Sequence, residues 1–170
     1  MAKGKHSISI VVADDHPIVL SGIVNLLSQD PSFKVVTNST QPVGALEAIR
    51  VHKPDVALID MNMPGLSGLQ ILKSVVSEEL PTRFILLAAT LTDEEIASAV
   101  EEGVHGIILK ESAPDVLMDC LSVVAAGEMA ILSQTCQVSG TDFGWFVKTH
   151  PDNLVSSVEL GYDRRNRSQR

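Results

Sequence analysis

Three carboxylates and one ammonium occupy the same point of a repeated pattern in this chain of 170 residues. Asp14 and Asp15 close the apolar run ISIVVADD, Asp60 closes DVALID, and Lys110 follows GIIL. An ionised carboxylate at the end of a buried run is costly unless solvent, a cation or hydrogen bonds compensate it. Three such groups meeting at one place would force one of them to keep its proton unless a cation joins them, and hard oxygen ligands completed by water suit Mg²⁺. A lysine on the same edge neutralises an anion bound beside that metal. A carboxylate, a divalent ion and an ammonium are together equipped to take up a phosphoryl group on an aspartate oxygen. The plain alternative is that Asp14, Asp15 and Asp60 are solvated strand-end or helix-cap acids, since Asp is a common cap.

Whether these groups meet depends on the elements that carry them. Short β-rich runs at 8–13, 33–37, 55–60, 83–88 and 106–109 alternate with stretches whose apolar residues recur at helical spacing. Val19, Ile23, Leu26 and Leu27 form one such stripe, and Leu117, Cys120, Leu121 and Val124 form the last. Thr92 with Glu95 reads as a capping box, Pro17 suits a first helical turn, and Ser112 followed by Pro114 and Asp115 reads as a helix start. Five strands alternating with five helices predict an α/β domain built on a parallel sheet. In such a sheet ligands bind beyond the carboxyl ends of the strands, where Asp14, Asp15, Asp60 and Lys110 fall.

Composition supports this frame. Hydrophobic residues make up 45% of the chain and aromatics only 4%, so the core is expected to be Val, Ile, Leu and Ala, as buried parallel strands require. The formal charge of −8 disfavours binding nucleic acid through the overall field and favours an ion or protein partner. Cys120 and Cys136 match neither a disulfide framework nor a zinc site, and a reducing cytosol is expected. No secretory or membrane segment is read at the N-terminus.

The segments VVADDHPIVLSGI, VALIDMNMPGLSGLQIL and GVHGIILKESAPDVL resemble the receiver domain of two-component response regulators, most closely the branch that bears a C-terminal helix-turn-helix. The resemblance covers residues 8–132. It implies a flavodoxin-like, doubly wound five-stranded parallel sheet of order 2-1-3-4-5 flanked by five helices, in a cytoplasmic phosphoacceptor rather than an enzyme in the ordinary sense. It further implies Asp60 as the acceptor of a phosphoryl group from a sensor histidine kinase. Asp14, Asp15 and Asp60 would hold Mg²⁺ with the backbone carbonyl of Asn62, and Lys110 would pair with the phosphoryl group. A homodimer through the fourth and fifth helices is a further expectation.

The chain departs from the family pattern at three places. The hydroxyl residue that binds a phosphoryl oxygen at the end of the fourth strand is replaced by Ala88, with Thr90 either a substitute or a plain loop residue. The aromatic switch position on the fifth strand is Ile107. Residues 133–170 hold the only Trp and Tyr, show no sustained period, and lack the two helices of a DNA-binding output; they are expected to be a poorly ordered tail outside the family. Truncation, a frame change or a single-domain regulator would each give such an end. A second function therefore stands beside phosphoacceptance, that of a degenerate receiver working as a phosphorylation-independent dimerisation or interaction module. An aspartyl phosphatase would want a D-x-D element, which ADDHP lacks. His16 is expected at the rim of the acidic site, and His105, between Gly103 and Gly106, as a turn residue.

Overall fold

A computed structural model of the chain describes residues 6–132 and the backbone of 145–148. Strands β1 (Ile8–Ala13), β2 (Phe33–Ser39), β3 (Val56–Asp60), β4 (Arg83–Ala88) and β5 (Gly106–Leu109) alternate with helices α1 (Pro17–Ser28), α2 (Pro42–His52), α3 (Gly68–Ser77), α4 (Asp93–Glu101) and α5 (Ala113–Ala125). They form a flavodoxin-like parallel sheet ordered β2-β1-β3-β4-β5.

The two-residue alternation of each strand divides its side chains between two cores. Val11, Ala13, Ala57, Ile59, Leu86 and Ile107 pack under α2, α3 and α4. Ile10, Val12, Val56, Leu58, Leu87 and Ile108 pack under α1 and α5. Because β3 lies at the centre and is covered on both faces, all five of its residues are buried. This is why its sequence reads as an unbroken apolar run up to Asp60.

The helices begin where local chemistry allows. Thr92 and Glu95 form a reciprocal capping box on α4, and three acids in its first turn suit the positive end of the helix dipole. Ser67 and Gln70 form a second box on α3, which the sequence reading did not single out. Pro17 opens α1 as expected. Ser112 precedes α5, but its side chain makes no capping bond.

The sheet extends further than the five strands read from the sequence. Strand β6 (Met129–Leu132) pairs in parallel with β5, and β7 (Trp145–Lys148) pairs antiparallel with β6. The four-residue run MAIL is too short to register as a period, and it becomes a strand because the edge of β5 offers it a partner. The expectation of a poorly ordered 133–170 tail falls outside the described residues, apart from the backbone of β7.

His105 is more than a turn residue. Its backbone bonds both ways, donating to Phe84 O at 2.9 Å and accepting from Ala130 N at 2.9 Å. Its ring Nδ1 accepts the Phe84 amide hydrogen at 3.1 Å. One residue thus ties β4 to the start of β6. Burial, and then the charge of Arg83, push the His105 imidazole below its ordinary pKa. Protonation would place a donor against the Phe84 donor. The unfolded chain binds this proton as pH falls through about 6.5 while the folded chain resists it. The stability His105 contributes is therefore present above that pH and is lost as pH falls through the lowered folded value. Urea unfolding at about pH 7.5 and about pH 5.5 should show a drop that shrinks in His105→Asn. An unchanged drop in the variant would assign it to other groups.

Candidate functional site

Register and alternation together bring the predicted groups to one edge. Ala13 lies beside Ile59, Asp60 beside Leu87, and Leu87 beside Ile108, so Asp14, Asp60 and Lys110 stand at nearly one level. All three share the strand parity of Val12, Leu58 and Ile108, which places them on the α1 and α5 face. A slip of one residue in any of the three strands would send one member to the opposite face.

Asp14 and Asp60 are only 0% and 1% exposed. Each holds a backbone hydrogen two residues on: His16 N donates to Asp14 Oδ1 at 2.9 Å, and Asn62 N donates to Asp60 Oδ1 at 3.1 Å. These Asx turns orient both carboxylates and lead the chain out of the sheet. The other oxygens meet a single ammonium. Lys110 Nζ lies 2.8 Å from Asp14 Oδ2 and 2.8 Å from Asp60 Oδ2. Lys110 is itself placed by its amide, which donates to Ala88 O at 2.8 Å. Burial acts to lower the pKa of Lys110, but the close contacts and charges of Asp14 and Asp60 outweigh it and hold the ammonium above its ordinary value. Lys110 is thus a fixed cation.

Asp15 lies at the rim of the site and is half-buried, with the more exposed His16 bridging it to Asp14; His16 Nδ1 is 2.9 Å from Asp15 Oδ1 and 3.1 Å from Asp14 Oδ1. One ligand atom from each of Asp14, Asp15, His16 and Asp60 falls within 4.8 Å of the others. Three carboxylates face one ammonium, leaving excess negative charge at a largely buried edge. Two of the oxygens, Asp14 Oδ2 and Asp15 Oδ1, are shielded from solvent and make ion-pair contacts without a well-directed hydrogen bond. Hard, under-satisfied oxygens with surplus charge fit a small divalent cation.

Of the remaining predicted residues, Asn62 reaches this cluster and Ala88 and Thr90 make no described contact with it. Asn62 is exposed and touches Asp60 through its amide. Ala88 is fully buried at the end of β4, in the core on the α2, α3 and α4 side, together with Ile107. Thr90 is exposed beyond the strand end. Cys120 is buried in α5, and burial followed by the nearby Asp119 charge pushes its thiol up to about 12, which makes it inert. Cys136 lies outside the described residues. Among the described residues, no helix is long and apolar enough to cross a membrane.

Two glycines shape the site, Gly65 of the Met-Pro-Gly turn that follows Asp60 and Gly68, which the sequence did not single out. Gly65 takes a φ of +91° in the Met-Pro-Gly turn, a conformation that suits glycine. Gly68 brings α3 against the end of β3: a Cβ there would lie 2.5 Å from Asp60 O and 2.8 Å from Leu86 Cδ2.

Comparison with known proteins agrees with this architecture. The family described as response regulator receiver domain matches residues 10–122. The transcriptional regulatory protein NarL of Mycobacterium tuberculosis is 42% identical over 105 residues, which are 62% of this chain and 49% of that protein. The chain thus spans about half the length of that relative. A nitrate/nitrite response regulator homologue of Haemophilus influenzae is 30% identical over 161 residues, 93% of this chain and 74% of that protein. Among solved structures, the signal receiver domain of NarL from Mycobacterium tuberculosis superposes with a TM-score of 0.69 at 38% identity, covering 72% of this chain and 98% of that one.

The close approach at Gly68 generates a direct test. Gly68→Ala should destabilise the protein by about 1–3 kcal/mol, because backbone and a packed leucine must shift. Gly22→Ala, in α1 with nothing within 4 Å of the added Cβ, should instead be neutral or stabilise by up to about 1 kcal/mol. Equal melting temperatures for the two variants would contradict the packing described.

Proposed function

The chain belongs to the response regulator receiver-domain family, and on that premise we propose that it accepts a phosphoryl group on Asp60 from a sensor histidine kinase and signals by protein contact in the cytoplasm. Receiver domains are signalling phosphoacceptors rather than enzymes in the ordinary sense. The observation that carries the reading is Lys110, whose ammonium bridges Asp14 and Asp60 at 2.8 Å on each side. The domain assigned to this work is residues 8–132.

In this reading Asp60 is the nucleophile. One of its oxygens attacks the phosphorus of a phosphohistidine, the P–N bond breaks, and the leaving imidazole takes a proton. Oδ1 is engaged by the Asn62 amide and Oδ2 by Lys110. An approaching phosphoryl group meets the ammonium first, and Lys110 follows the developing charge onto the phosphoryl oxygens. Asp14, Asp15, Asp60 and the backbone carbonyl of Asn62 would hold Mg²⁺. The ion, when bound, supplies charge neutralisation and orientation of the phosphoryl oxygens. Removing the nucleophile is the direct test. Asp60→Asn should abolish hydroxylamine-sensitive labelling from acetyl phosphate with Mg²⁺, while Lys110→Ala should keep the fold and lose label retention or signalling. Label retained on Asp60→Asn would move the acceptor elsewhere.

The second reading, an interaction module indifferent to phosphorylation, is favoured by Ala88 and Ile107. Position 88 offers no hydroxyl to a phosphoryl oxygen, Thr90 is exposed beyond the strand, and Ile107 is fully buried with no ring to turn. A ligand that contacts two conformations alike does not change their ratio, however tightly it binds. Dimerisation through α4 and α5 should then be nearly the same with and without beryllofluoride, and Ala88→Thr should restore a difference. Analytical ultracentrifugation reads this directly. Strong beryllofluoride-dependent dimerisation of the wild type would show that another group, such as Thr90 two residues along the chain from Ala88, drives the switch.

A further inference from the structure

His16 takes no part in the functions proposed above, yet its ring is built into the acidic cluster. Its backbone amide is fixed by Asp14 Oδ1, and Pro17 follows at once as the first residue of α1, so the position of the residue is set by both neighbours. Its Nδ1 is 3.1 Å from Asp14 Oδ1 and 2.9 Å from Asp15 Oδ1. Ligands on adjacent corners of an octahedron with bonds of about 2.1 Å are themselves about 3.0 Å apart. Both separations match that spacing. The contact with Asp15 Oδ1 is short but poorly directed for a hydrogen bond, so it leaves that oxygen under-satisfied. A fully buried carboxylate, Asp14, stands on the other side of the same ring nitrogen.

We propose that His16 is a specificity-determining ligand of the cation site, donating Nδ1 alongside Asp14 and Asp15 and tilting selectivity from Mg²⁺ toward borderline first-row divalent ions such as Co²⁺. The inference rests on the reading of Asp14 and Asp15 as cation ligands. Its chemistry is the difference between donor sets. Mg²⁺ gains little by exchanging a water for an imidazole, whereas affinity for later first-row ions rises with nitrogen ligands. As a ligand, the neutral ring carries its proton on Nε2, and its 63% exposed side chain leaves water able to satisfy that hydrogen. The same exposure makes substitution tolerable.

Calorimetric titration of the full chain with Mg²⁺ and with Co²⁺ tests the selectivity. In His16→Ala, Co²⁺ affinity should fall about tenfold or more while Mg²⁺ affinity stays within about twofold. Pulsed electron paramagnetic resonance of the Mn²⁺-loaded wild type should show modulation from a directly bound imidazole nitrogen, lost in His16→Ala. Asp15→Asn separates this inference from its premise, since it should weaken both ions. If Asp15→Asn weakens both ions but His16→Ala changes their affinities by the same factor, or raises both, His16 is a competitor or a bystander and the proposal is overturned while the site stands. If Asp15→Asn binds both ions as the wild type does, the cation lies elsewhere and the premise falls with the proposal.

Discussion

One ammonium holding two buried carboxylates is the interaction on which this edge of the protein depends. Asp14 and Asp60 are almost fully buried, and each places one carboxylate oxygen 2.8 Å from the Lys110 ammonium between them. Deleting one partner of such a buried group typically costs about 3–5 kcal/mol, because the remaining charge is left uncompensated. The arrangement places demands far beyond three side chains. It needs β1, β3 and β5 in one register, with β4 inserted so that Ala88 O receives the Lys110 amide. It also needs Gly68, whose missing side chain lets α3 press on the end of β3.

The two ends of the sheet are finished differently. At the amino ends of the strands, polar groups close on each other: Ser9 and Asp55 exchange hydrogen bonds, Arg83 reaches Ala125 O at 2.7 Å, and the His105 ring accepts from Phe84. At the carboxyl ends the pairing is incomplete, with three acids facing one ammonium and two oxygens lacking a directed hydrogen bond. Thr82 Oγ1 and Ser112 Oγ are also buried without a partner, but only at the carboxyl edge do such atoms belong to charged groups that converge on one point.

The separation of chemistry from response is equally physical. Asp60 ends β3 and Lys110 follows the end of β5 at the carboxyl edge, whereas Ala88 and Ile107 pack into the core shared with Ala99 of α4. The machinery that would take a phosphoryl group gathers at the carboxyl edge of the sheet, and the positions that would transmit its arrival lead from that edge into the core beneath α2, α3 and α4. Substitution at the transmitting positions therefore leaves the chemical groups intact. Small apolar side chains there give a continuous packed surface with no polar partner for a phosphoryl oxygen.

Much of this was written in local pattern. Apolar runs ending in a carboxylate, helical stripes between them, and Lys110 at a matching strand end made the α/β class and the shared strand-end position of Asp14, Asp15, Asp60 and Lys110 legible, because runs and their ends are properties of consecutive residues; the sheet order came only through the resemblance to receiver domains. The Thr92 capping box was legible for the same reason. Tertiary structure decided what depends on residues distant in the chain. It turned the short run 129–132 into a strand by giving it the edge of β5, made His105 an acceptor for an amide 21 residues away, and closed Lys110 over both acids rather than one. It also set His16 Nδ1 at ligand spacing from its neighbours and buried Ala88 in the core beneath α2, α3 and α4. No period in the sequence encodes such contacts; they follow from strand register, which is settled only when the two cores pack.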